Sequence, residues 1–359
     1  MVMSPIVTME AIDIGFKHDF KHASHTRGET ESILVKVEHQ GCNGIGEGCP
    51  RSYVTGESLA SCFEAFDSLK PLLTEKVKTY DELKVFRVTH GDFITQNPAL
   101  WCAVEMAFLD CFAQQAGLPV HKFLGLNPHS KVRYTAVVGI TSLPKLVVMV
   151  MVYRLMGLGQ FKLKLSGRLD HDKKVVRLLT LFGVSSIRVD ANNLWEDTRT
   201  AYEYISILGT PLLGIEEPVK VTTNQIDEIA ADAPYPLILD EHFTHLQQLD
   251  EIKEPQKVIL NLRVSKVGGI LNGIAILREA RRRGIKVIMG AHVGETSLLT
   301  RASQVVACAG ADGIIGYEGA FSDYLLKRDP VTPRLRLGFR GQVDYVDFEK
   351  KNGLGLTYD

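Results

Sequence analysis

A chain of 359 residues, 45% hydrophobic and 23% charged, has ample core for a globular protein and is longer than one ordinary domain. Its net charge of -1 excludes an electrostatic case for nucleic acid or an anionic membrane as partner. No apolar run is long enough to span a bilayer, no secretory leader pattern opens the sequence, and the six scattered cysteines (Cys42, Cys49, Cys62, Cys102, Cys111, Cys308) form no Cys-x-x-Cys pair, so reduced thiols and a cytoplasmic location are expected.

The first third reads as strands followed by helices. Glu31 to Glu38 contains the β-rich run Ser-Ile-Leu-Val-Lys-Val, and Gly41 to Gly48 supplies turn chemistry before another extended piece. From Pro98 to Ala116, Leu100, Ala103, Val104, Ala107, Phe108, Cys111 and Phe112 recur at helical spacing, and Gly117-Leu118-Pro119 ends the run. After about residue 128 a β-rich run and an amphipathic stretch alternate. The predicted strands are Arg133 to Val138, Gln160 to Leu165, Ser186 to Asp190, Pro211 to Ile215, Pro236 to Leu239, Lys257 to Leu262, Lys286 to Met289 and Gly313 to Gly316. Eight such runs match a β/α barrel, whose chemistry sits at the carboxyl ends of the strands.

Polar residues cluster at those ends: Lys162 and Lys164, Asp190, Glu216, Asp240, Arg263 or Lys266, His292, and Glu318. A buried carboxylate must be paired or hold a metal, and three closing successive strands suggest a hard cation such as Mg²⁺ rather than zinc. An aspartate at a strand-to-helix turn is also a common helix cap. Lys162 and Lys164 alternate around Leu163, so a strand presents both on one face. Two close ammonium groups disfavour one another's charge, which makes a usable base near neutral pH.

The ordered series Lys162-x-Lys164, Asp190-Ala191-Asn192, Glu216-Glu217-Pro218, Asp240-Glu241 and Lys266-Val267-Gly268-Gly269 resembles the enolase superfamily, and within it the mandelate racemase/muconate lactonizing enzyme family, muconate lactonizing-like subgroup. Gly46-Glu47-Gly48 and Ala103-x-Glu105-x-Ala107 resemble that family's capping domain. The resemblance covers nearly the whole chain. It implies a modified (β/α)8 barrel over residues 128–329 with an α+β capping domain over 1–127, onto which the tail 330–359 packs back. It also implies Asp190, Glu216 and Asp240 as Mg²⁺ ligands, with Glu241 an alternative to the third, and Lys164 as the base that takes a proton α to a substrate carboxylate, assisted by Lys162. Homo-oligomers are frequent in the family.

The sequence departs from the family's pattern on the opposite face. Muconate lactonizing-like members carry a lysine five residues before the Gly-Gly pair, where this chain has Arg263. Arginine keeps its proton, so it is a poor base and a good cation. Lys266 and His292 are the alternative proton carriers, and His292 lacks the aspartate that usually partners it, since Arg263 stands in that place. Glu295 and Glu318 resemble substrate-binding positions, although the Asp-x-Asp of dipeptide epimerases is reduced to Glu318 alone. His22, Ser24, Arg27, Tyr53 and Thr55 flank segments resembling the family's covering loops, and Arg27 and Tyr53 are taken as substrate contacts. The expected protein is a Mg²⁺-dependent isomerase of a small-molecule carboxylate: a racemase, epimerase or cycloisomerase. The alternatives are a lyase of the same superfamily or a non-catalytic metal-binding relative.

Overall fold

The computed structural model describes residues 3–21, 26–128, 133–209, 212–220, 225–338, 341–343 and 350–359, with the side chains of 18–21, 26 and 27 also left undescribed. The chain opens with β1 (Ile6–Ile12), the hairpin β2 (Gly15–Lys21) and β3 (Thr26–Glu29), then β4 (Ser32–His39) and β5 (Cys42–Gly48). An antiparallel sheet in the order β1-β4-β5 is covered by helices α1 (Leu59–Lys76), α2 (Tyr80–Thr89), α3 (Gly91–Gln96), α4 (Pro98–Gln115) and α5 (Val120–Phe123). Helix α4 is buried on every side from Pro98 to Ala113, as a central helix must be. It lies against β5 at unusually short range because Gly44, Gly46 and Gly48 face it. A Cβ at these positions would come within 1.9 to 2.1 Å of the carbonyl oxygens of Ala107, Ala103 and Ala99. Two residues of strand advance about as far as four of helix, so one glycine row fits one alanine row.

The barrel follows as β6 (Ala136–Val138), α6 (Leu143–Leu155), β7 (Gln160–Lys164), α7 (Leu169–Leu181), β8 (Ser186–Asp190), α8 (Thr198–Ile207), β9 (Gly214–Glu216), α9 (Ile226–Ala231) and β10 (Leu237–Leu239). It continues with β11 (Val258–Leu262), α10 (Ile270–Arg283), β12 (Lys286–Met289), α11 (Ser297–Ala307), β13 (Ile314–Tyr317) and α12 (Ser322–Leu325). Between β10 and β11 only short 3₁₀ turns intervene, at Leu246–Glu251 and Pro255–Lys257. All eight expected strands form one parallel sheet in sequential order from β6 to β13. The first is shorter than expected: Tyr134 makes only an isolated bridge to Tyr317, and Thr135 N donates to Tyr317 O at 2.8 Å, so these residues close the seam instead of extending the ladder. The fourth starts at Gly214, and Pro211 lies outside the described residues.

Period-2 alternation sets the barrel's interior. Lys164, Asp190 and Glu216 share one register level, and Lys162 and Arg188 share the level two residues earlier. Deeper in the barrel, Ile238, Ile259 and Ile288 form a small apolar cluster separate from the main core.

Buried carboxylates of the N-terminal domain hold it to the barrel by capping barrel helices. Glu47 accepts from Thr296 N at 3.0 Å and Thr296 Oγ1 at 2.6 Å where α11 begins, and Glu105 accepts from Leu271 N at 2.9 Å in the first turn of α10. A carboxylate at a helix N-terminus meets unpaired N–H groups and the favourable end of the dipole. The last residues return to this domain: Val120 N donates to Gly353 O at 2.9 Å and Leu354 N to Asp110 Oδ1 at 2.6 Å. There, β15 (Thr357–Tyr358) pairs with β14 (Val331–Thr332). No described helix is long and apolar enough to cross a membrane, and all six cysteines are unbridged.

Candidate active site

Strands β7, β8 and β9 bring together the first four groups of the site, Lys162, Lys164, Asp190 and Glu216. Lys162 Nζ donates to Glu216 Oε1 at 2.6 Å and lies 3.2 Å from Asp190 Oδ2 and 3.5 Å from Glu318 Oε1. Lys164 Nζ donates to Asn192 Oδ1 at 3.0 Å and lies 3.7 Å from Asp190 Oδ2. The two lysines diverge electrostatically. Burial would lower the Lys162 ammonium, but the combined attraction of Asp190, Glu216 and Glu318 holds it above the ordinary lysine range. Burial lowers Lys164, and the charge of Lys162 adds to that against the attraction of Asp190. Lys162 is therefore a fixed cation, and Lys164 is the amine that gives up its proton more readily.

Asp240 is engaged differently. Arg263 Nη2 donates to its Oδ2, and Lys266 Nζ lies 3.1 Å from its Oδ1 and also donates to the carbonyl oxygens of Asp240 and Asn261. Lys266 is fully buried, and that burial together with the Arg263 guanidinium pushes its ammonium down to about 7. Glu217, buried and with φ of 44°, accepts from Asp240 N at 2.8 Å and faces His242 Nδ1 at 2.6 Å, so it fixes the turn after β10. Asn261 donates to Glu216 Oε1 at 3.2 Å.

Some of these groups border a cavity of about 390 Å³ at the barrel mouth. Lys162, Lys164, Asp190, Glu241, Arg263, His292, Glu318 and Tyr53 line it; Glu216, Asp240, Lys266 and Glu295 are not among its lining residues. Glu295 is half-buried, its Oε2 accepting from His292 N at 2.8 Å, and desolvation raises it well above its ordinary value. Glu318 is neutralised by Arg188 Nη2 at 2.5 Å. Arg27 pairs with Phe20 in the β2–β3 hairpin, but its side chain is outside the described residues, as are His22 and Ser24 altogether.

Hard carboxylate oxygens suit Mg²⁺ by type, but among the described residues no three such groups stand together as a ready-made metal site, the acids being engaged instead by Lys162, Arg263 and Lys266. Glu216 Oε2 is buried with no hydrogen-bond partner among the described residues. Burial and the charges of Glu217, Asp190 and Glu216 push Glu241 up to about 7, a crowding of hard oxygens that a divalent cation relieves. Asp190 and Glu216, with Asp240 or Glu241, are the residues that would hold it.

Residues 147–359 match the enolase C-terminal domain-like family, and residues 7–125 match the mandelate racemase/muconate lactonizing enzyme N-terminal domain. The chain belongs to the mandelate racemase/muconate lactonizing enzyme family. It is an enzyme of the enolase superfamily with a capped (β/α)8 barrel. Among its relatives, the N-succinyl-L-Arg/Lys racemase of Bacillus cereus is 24% identical over 98% of this chain and 94% of that protein. The hydrophobic dipeptide epimerase of Enterococcus faecalis is 25% identical over 98% and 99%. A crystal structure of the dipeptide epimerase from Cytophaga hutchinsonii, complexed with Mg and D-Ala-L-Val, superposes with a TM-score of 0.85 at 24% identity, covering 100% of this chain and 96% of that one.

Sequence reasoning did not single out Arg188, Asn192, Glu217 or Asn261 as site residues. Arg188 had a signal, since it stands two residues before Asp190 on one strand and so shares its face. Asn261 also lies on a strand, but its contact with Glu216 depends on barrel closure.

Proposed function

We propose that this family member is a Mg²⁺-dependent isomerase, a racemase or epimerase, that removes the proton α to the carboxylate of a small-molecule substrate. The observation that carries the reading is the meeting, in one cavity, of the Lys164 amine, held below its ordinary range, with Asp190 and Glu241, two of the carboxylates offered to the cation. The named activities of the relatives support racemisation or epimerisation. Bound Mg²⁺ supplies fixed positive charge for the dianion left by proton loss. Lys164 takes the proton at Nζ, with Asn192 orienting the amine. Lys162 stays charged and keeps Asp190 and Glu216 in place. Arg263, just past the end of the strand four places round the eight-stranded barrel from that of Lys164, offers a cation and no base on the second face. His292 lines the cavity and is the group that returns the proton there, whereas Lys266 is turned to Asp240 and Asn261.

The arginine also favours a second reading, a one-base lyase or cycloisomerase of the same superfamily, in which Lys164 alone moves the proton. Cysteines scattered without a Cys-x-x-Cys pair support a cytoplasmic setting. The test is incubation of N-acyl amino acids, dipeptides, proline derivatives and sugar acids with Mg²⁺ in D₂O. The wild type is expected to wash deuterium into the α-position of at least one acid, and Lys164→Met to lose that exchange by about 10²-fold or more. Exchange that persists in the variant removes Lys164 as base.

A further inference from the structure

We infer that the substrate of this site carries an aliphatic or aromatic arm and no ammonium group. This rests on the reading above that the polar lining of the cavity handles a carboxylate. An apolar part of its lining comes from elements outside the barrel wall: Met149 and Tyr153 from α6, and Phe321, Tyr324 and Leu325 from the start and body of α12. Met149 and Tyr153 are four residues apart and share a helix face. Tyr153 packs edge-on to Phe161 with ring centroids 6.2 Å apart, and Phe321 meets Tyr324 at 5.9 Å. Helices α6 and α12 follow the first and eighth strands, which meet at the seam bridged by Tyr134 and Tyr317. Val137, the register partner of Lys162, also lines the cavity.

The charges are distributed unevenly among the elements. Among the described residues, the acids that line the cavity are Asp190, Glu241 and Glu318, and none is contributed by α6 or α12. Glu318 is already compensated by Arg188 at 2.5 Å and Lys162 at 3.5 Å, and Glu241 lies 3.9 Å from Arg263. A cationic arm against the apolar lining would lose its hydration without gaining an anion, whereas an apolar arm gains by burial. A volume of about 390 Å³ suits a small acid with one such arm.

Binding is measured by titration calorimetry with Mg²⁺ and the Lys164→Met protein, so that turnover does not intrude, for N-acetyl-alanine, N-acetyl-leucine, N-acetyl-phenylalanine, N-acetyl-lysine and free leucine. The affinity is expected to rise roughly tenfold for each two methylene groups buried, with N-acetyl-lysine and free leucine no tighter than N-acetyl-alanine. Met149→Glu is expected to reverse the order of the leucine and lysine derivatives and Met149→Leu to keep it, circular dichroism showing that both fold. Equal or tighter binding of the charged ligands, or no binding by any acid, overturns the inference. Deuterium uptake by the wild type on the same acids separates the two readings. Tight binding of apolar acids without uptake removes the proton-abstraction reading and leaves the arm preference standing. Uptake that is best with charged arms does the reverse.

Discussion

At Arg263 a single substitution of charge chemistry governs what the site can do. A lysine in that place could lend and take a proton; the guanidinium keeps its own and instead holds Asp240. Arg263→Lys is therefore expected to raise α-proton exchange of the slower enantiomer tenfold or more, read by NMR of each resolved enantiomer in D₂O. An unchanged ratio would show that the second face does not depend on this residue. His292→Asn is expected to lower epimerisation by about 10²-fold or more while leaving exchange on the Lys164 face within a few-fold. Loss of both together would assign His292 to binding, and retention of both would remove it from the reaction. Lys162 and Lys164 show how two identical side chains two residues apart acquire different roles. One is surrounded by three carboxylates and remains charged; the other is half-buried with Asp190 at 3.7 Å and a cation behind it.

Among the elements, the junction of the N-terminal domain with α10 and α11 is the most demanding. Gly269, at the N-terminus of α10, has φ of 105°, and a Cβ there would lie 2.4 Å from Glu105 Oε1. Gly269→Ala is expected to cost about 1–3 kcal/mol through backbone strain and displacement of that carboxylate, measured by chemical unfolding. A variant as stable as the wild type would show that the junction yields easily. Burial also raises Glu47, Glu105 and Asp110, each to about 7. Their folded values exceed the unfolded ones, so between roughly pH 4.5 and 7 the native state keeps protons that the unfolded chain has released. Stability is therefore expected to fall as pH rises through that window, by up to about 1.4 kcal/mol per pH unit for each group. Glu105→Gln should flatten the dependence by one group's share; an identical pH profile in wild type and variant would contradict the assignment.

For the whole molecule, the proposed cation would connect the site to stability. A ligand that binds only the folded state stabilises it by about 2.7 kcal/mol at a hundredfold excess over Kd. Mg²⁺ is expected to raise the melting temperature by several degrees, EDTA to reverse the gain, and Asp190→Asn to abolish it. A melting temperature indifferent to Mg²⁺ would argue against the carboxylate site. The barrel itself is held from three sides: the ladder of eight strands, the seam at Tyr134 and Tyr317, and the N-terminal domain whose carboxylates cap two of its helices.

Much of this architecture was legible in the residues. Eight β-rich runs at barrel spacing mark the strands, because alternation is a local property of the backbone, and the same alternation puts Lys162, Lys164, Asp190 and Glu216 on the interior face at strand ends. The pattern does not encode who meets whom across the barrel. That Asp240 is taken by Arg263 and Lys266, that Glu47 caps a helix 249 residues away, and that α6 and α12 supply an apolar lining to the cavity all follow from closure of the sheet and docking of the domain upon it. The sequence by itself determined the strands, the family resemblance and the chemical types available at the mouth. The tertiary structure alone decided their partners, because pairing energies depend on distance and burial, which exist only once distant segments have packed.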